Sequence, residues 1–160
     1  MMTHIGRGLV AGIVATLALS ILMMIKAMAG LLPAVNAIEL LTRIGYSWVG
    51  LPASPIVGWL MHIMVGVVAW GGLFALLQPY LPGAADWARG MVFSVAGWLL
   101  MMLVVMPMAG TGLFGLSIGI APAIATLVLH LIFGAILGGV FGALAPQPTY
   151  HGDREAHAYG

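Results

Sequence analysis

Two histidines, His62 and His130, each interrupt a long apolar run at matching points of an internal repeat. No Asp, Glu, Lys or Arg lies in the middle of any such run, so these imidazoles are the ionisable groups at depth. An ionisable side chain inside hydrocarbon is costly and marks a candidate functional site. Imidazoles facing each other across a repeat axis have the geometry that clamps a b-type haem, one on each side of the iron. His62 and His130 fall six and eight residues into their spans, about 9–12 Å below the same membrane surface at 1.5 Å per residue. Gly66 and Gly134, one turn further on, would leave room for the edge of a flat macrocycle. The simpler assignment is polar glue. Each neutral ring would then bond a carbonyl or hydroxyl of the next helix, with Thr16, Ser20, Ser94 and Thr126 as available partners.

Methionine offers a second chemistry. Met24-x-x-x-Met28 and Met102-x-x-x-Met106 place thioethers one turn apart, and soft thioethers suit Cu(I). With 12 Met in the chain, however, such spacings arise easily, and Met commonly fills irregular cores. Ser20 and Ser94 have no intramembrane carboxylate to complete a nucleophilic set, and no Asp or Glu relay for ion-coupled transport is present. Trp59, Trp70, Trp87 and Trp98 read as belt or packing residues. The absence of cysteine excludes disulfides, thiolate metal sites and covalent c-type haem. His151 and His157 in the tail are a weak metal signal.

The elements that hold these residues are transmembrane helices. At 160 residues, 62% hydrophobic and 6% charged, with a mean hydropathy of +1.14, the chain belongs to the membrane class. Four segments meet the length of about 20 apolar residues that a span needs: 5–29, 56–77, 88–109 and 122–144. Ala27-Met28-Ala29 mimics a signal-cleavage site, but the run is long for a signal segment and has a repeat partner downstream, so it reads as the first span. The net charge of +1, with no basic run, gives no sign of a nucleic-acid partner.

The halves of the chain resemble each other. Arg7-Gly8 opens the first span and Arg89-Gly90 the third, His62-x-x-x-Gly66 parallels His130-x-x-x-Gly134, and Gly71 parallels Gly139. The expected fold is therefore an all-α membrane protein of four helices, built as two repeated hairpins about an axis along the membrane normal. Residues 1–145 form this domain, and 146–160 form a polar, disordered tail. Small-residue stripes mark packing faces: Gly8, Gly12, Thr16 and Ser20 on the first span, and Gly134, Gly138 and Gly142 on the fourth, with Gly66 on the second. Residues 36–45 read as an interfacial helix capped by Asn36, with a Glu39–Arg43 pair and with Tyr46 and Trp48 as anchors. Gly110–Gly119 is a shorter, apolar, glycine-rich connection at the surface or dipping slightly inward. Arg7, Arg89 and Arg154 on one side, against Lys26 and Arg43 on the other, favour both termini in the cytoplasm.

Arg7-Gly8, Gly58-Trp59-x-x-His62, Trp98, Met106-Pro-Met-Ala-Gly-x-Gly-Leu-Phe-Gly115 and His130-x-x-x-Gly134 together resemble a small bacterial family of four-span membrane proteins of unknown function. The resemblance covers roughly residues 5 to 145. It implies four helices in a bacterial inner membrane and adds no activity. The role expected from the residues is an accessory or scaffold subunit without catalysis, in a homo-oligomer or larger assembly. The haem b site (His62, His130) and the copper site (Met24, Met28, Met102, Met106) are the alternatives. The first reading assumes that helices packed through glycine leave little internal volume.

Overall fold

The computed structural model describes residues 2–31 and 36–146, so expectations about the tail, including Arg154, His151 and His157, lie outside the described residues. The chain is all-α, with four helices long and apolar enough to cross a membrane. These are α1 (His4–Met28), α3 (Pro55–Tyr80), α4 (Asp86–Met108) and α5 (Ile120–Ala143). The short α2 (Ala37–Ile44) lies between α1 and α3.

Local chemistry sets the ends. Thr3 and Ser54 cap α1 and α3 by accepting from the backbone of Gly6 and Ile56, and Pro55 occupies a first-turn position where no donor is missed. Asn36 caps α2, and Glu39 pairs with Arg43 at 3.2 Å on its exposed face. Pro107, near the end of α4, has no N–H, and its ring would press on the carbonyl one turn back. The ladder widens into a π-helical turn at Met101–Val105, immediately before it. A longer π-helical stretch, Met64–Gly71, occupies the middle of α3.

α1 packs against both α3 and α5, and α4 packs along α5. These contacts run through the glycine stripes. A Cβ on Gly8 would strike the Gly71 carbonyl, one on Gly12 the backbone at Gly66 and Val67, and one on Gly90 the Gly134 carbonyl. Gly138 lies on the backbone of Asp86, and Gly142 on its side chain. The stripes of Gly8, Gly12, Gly66, Gly134, Gly138 and Gly142 thus pack within one chain. Small residues permit this approach, in which dispersion and weak Cα–H···O contacts hold the helices.

α3 and α4 do not share such a seam. They meet through large rings, with Trp70 and Phe74 against Phe93 at centroid distances of 5.5 and 5.4 Å. Phe74, Phe93, Phe133, Leu137, Phe141, Ala11 and Ala15 form the core, which fills the end of the bundle where α1 and α4 begin. Polar clamps close that end. Arg7 donates from Nη2 to the Phe141 carbonyl at 2.8 Å and lies 4.2 Å from the Phe141 ring centroid. Gln78 donates to Asp86 at 2.6 Å, and Arg89 pairs with the same carboxylate at 3.3 Å.

Candidate functional site

Toward the opposite end the bundle is hollow. A cavity of about 350 Å³ runs from a mouth lined by Lys26, Asn36, Glu39 and Arg43 down to Phe93, Phe133 and Trp70. The premise of little internal volume is therefore corrected. Glycine seams bring α1 close to α3 and α4 close to α5, but only bulky rings bridge α3 and α4, and the space below those rings stays open. Two of the three π-helical stretches among the described residues, Met64–Gly71 and Met101–Val105, lie on these two helices, and widened turns of this kind frequently mark functional sites.

His62 and His130 both line the cavity, but in different settings. His130 Nδ1 lies 2.7 Å from the Thr126 carbonyl. A carbonyl only accepts, so Nδ1 carries the proton and, in the neutral ring, Nε2 is left with a lone pair. His130 Nε2 has no hydrogen-bond partner among the described residues. His62 Nε2 instead lies 3.2 Å from Ser20 Oγ, whose own hydrogen goes to the Thr16 carbonyl at 2.7 Å. Ser20 is therefore the acceptor and His62 Nε2 the donor. The pair looks like a serine–histidine dyad but is wired the wrong way for activation. A base must take the hydroxyl proton, and here the ring gives its own.

The same wiring bears on the haem alternative. Two axial imidazoles must both offer lone pairs to one iron. His130 presents one at Nε2, whereas His62, donating its Nε2–H to Ser20, presents one at Nδ1, so the two rings offer different nitrogens. The polar-glue alternative describes the His62–Ser20 bond between α3 and α1; His130 bonds within its own helix.

The four methionines of the copper alternative are not brought together. Met102 and Met106 are buried and line the cavity, while Met24 and Met28 are 55% and 87% exposed on the outer face of α1. The α1 methionine that reaches the cavity is Met23, with Met101 facing it from α4. A one-residue step moves a helical side chain by about 100°, enough to exchange interior for lipid.

Thr16, a residue of the α1 stripe, and Ser94, a serine without a carboxylate to activate it, are also expected as partners for histidine. Neither serves. Both hydroxyls are buried without a hydrogen-bond partner, Thr16 Oγ1 seated on Gly66 and Ser94 Oγ on Gly134. Repeat-matched glycines thus each receive a hydroxyl from the neighbouring helix. The likeness between hairpins stops there, because Gly71 is buried on Gly8 whereas Gly139 faces open space. Trp70, Phe93 and Phe133, read as packing residues or passed over, line the inner end. Phe133, three residues past His130, and Trp70, eight past His62, carried a signal in their helical register, whereas Phe93, adjacent to Ser94, carried none.

The mouth is partly covered. Leu40 of α2 packs on Met102, Met106 and Ala123, and Phe114 joins the same cluster while stacking at 5.7 Å on Trp98. Phe114 has a left-handed backbone (φ 56), which is rare for a side chain of this size, so the glycine-rich connection turns a ring inward. Trp98 Nε1 donates to the Ala123 carbonyl at 3.2 Å and holds the α4–α5 side of the wall in place.

Residues 2–152 match a family described as a family of unknown function (DUF6789). The chain belongs to that family. No curated protein and no solved structure matches it. The geometry of this DUF6789 chain is that of an apolar vestibule, open at one end, whose depth carries uncharged hydrogen-bonding groups.

Proposed function

We propose that this protein is a non-catalytic membrane subunit that holds a small, neutral amphiphile in its vestibule, as an accessory component of a homo-oligomer or larger complex. The observation that carries this reading is the cavity of about 350 Å³ with the free Nε2 lone pair of His130 on its wall. Pockets of about 300–1,000 Å³ with apolar walls and a few placed polar groups are the usual form of a small-molecule site. A charged ligand head would find no counter-ion at depth, since Lys26, Glu39 and Arg43 all stand at the mouth. Its inner groups favour binding over reaction, because the Ser20 proton is committed to a backbone carbonyl.

In this reading the closed end, with Arg7 and Arg89, faces the cytoplasm of a bacterial inner membrane, and the vestibule opens on the other side. Gly97 gives the test. It lines the cavity, and a Cβ there would meet only the Trp70 ring, at 3.3 Å. Gly97→Leu therefore projects into the vestibule against a side-chain ring, which must give by a few tenths of an ångström, rather than against helix backbone. Native mass spectrometry of the protein released from its own membrane should show a bound small molecule that Gly97→Leu loses. Identical adduct-free spectra for both proteins, with both folded, would overturn the proposal.

A further inference from the structure

We infer that the vestibule selects a flat, ring-borne hydroxyl, as in a phenol or quinol amphiphile. This rests on the ligand-holding reading above and names the ligand class.

Three observations converge on it. The first is depth. Antiparallel contacts of Gly90 with Gly134 and of Trp98 with Thr126 put Ser94 and His130 at one level of the α4–α5 pair. The Arg7–Phe141 bond sets the α1–α5 register and brings Thr16 to within about a turn of that level. The inner end thus gathers an imidazole lone pair and two unpartnered hydroxyls in one layer.

The second is shape. Trp70, Phe93 and Phe133 present ring surfaces at this end, and Gly66 and Gly97 beside them have no side chain to project. Flat walls of this kind fit a planar ring, with stacking and edge contacts adding to area burial. An apolar tail would leave between α3 and α4, which lack a close seam below Trp70.

The third is polarity. The fixed feature is an acceptor, His130 Nε2, because Nδ1–H is held by the Thr126 carbonyl. An acceptor demands a donor from the ligand. A quinol O–H supplies one, whereas a quinone carbonyl would set lone pair against lone pair. The Ser94 and Thr16 oxygens are buried against Gly134 and Gly66, and a hydroxyl can donate to either oxidation state, so the discrimination rests on His130 Nε2. The site therefore discriminates oxidation state by binding alone, with no electron transfer at the protein.

The experiment is calorimetric titration of the protein in lipid nanodiscs under argon, against empty nanodiscs. The probes are decylubiquinol, decylubiquinone and decanol. Expected are one quinol per chain, quinol binding about ten-fold tighter than quinone, and weaker binding still for decanol, which has the hydroxyl but no ring. A single hydrogen bond of about 1 kcal/mol corresponds to roughly five-fold, and the lone-pair mismatch adds to it. His130→Phe keeps a flat ring without the acceptor, so it should weaken quinol binding, strengthen quinone binding by removing the lone-pair mismatch, and bring the two affinities together. Equal affinities for quinol and quinone, or quinol binding unaffected by His130→Phe, would overturn the inference. If no probe binds while Gly97→Leu still strips a native adduct, the ligand class falls and the vestibule reading stands. If neither effect occurs, both fall.

Discussion

Among single residues, the buried hydroxyls behave least as their chemistry demands. A hydroxyl taken out of water without a partner costs roughly 1–3 kcal/mol, and Ser94 and Thr16 each have this arrangement at about 3% and 2% exposure. Each instead rests on a glycine, a contact worth about 0.5–1 kcal/mol. Ser94→Ala in the ligand-free protein should therefore raise stability by about 1 kcal/mol, read by steric trapping or SDS unfolding in micelles. A loss of stability would show that Ser94 has a partner in solution. The histidines make the converse point. Residue type singled them out, but only the partner atoms decide which nitrogen is free, and they decide it differently for the two rings.

For the helices, the small-residue stripes were fully legible, because spacing of four on a helix puts side chains on one face. What each stripe faces was not. Gly134 and Gly139 both belong to glycine-rich α5, yet a Cβ at Gly134 would run into the Gly90 backbone, while one at Gly139 meets nothing within 4 Å. Gly134→Ala should therefore cost on the order of 3 kcal/mol by forcing α4 from α5. Gly139→Ala should be neutral or gain about 0.5–1 kcal/mol of helix propensity. The pair, compared by thermal unfolding in the same detergent, tests the seam directly, and equal effects would contradict it. The same logic separates Met23 from Met24: the sequence pattern pairs Met24 with Met28, and the helix turns both away from the interior.

Taken whole, the bundle is asymmetric from end to end. Arg7, Gln78, Asp86 and Arg89 tie helices together over a phenylalanine-rich core at one end. At the other, α2 and the Phe114 turn cover a hollow interior. Access from one side only follows. The chain has no cysteine, so an introduced one is the sole target. Leu129→Cys, on the cavity wall, should react with a small membrane-impermeant thiol reagent added on the mouth side. Leu137→Cys, in the fully buried core, should stay unlabelled from either side. Labelling of both to the same extent would show that the closed end is open.

The amino-acid sequence alone determined that this protein is α-helical, that it crosses a membrane four times, and which helix faces carry small residues. Those properties depend on hydropathy over about 20 residues and on a period of 3.6, both local. It also drew attention to His62 and His130, because ionisable groups are scarce in apolar runs. Only the tertiary structure decided that α3 and α4 stand apart and leave a vestibule. It alone decided that Ser20 rather than Thr16 meets His62, and that Thr16 and Ser94 lie buried without partners. The reason is that volume and hydrogen-bond pairing arise between helices. Residues far apart in the chain are set there by which helix pairs pack through a seam, and no period along one helix records that pairing.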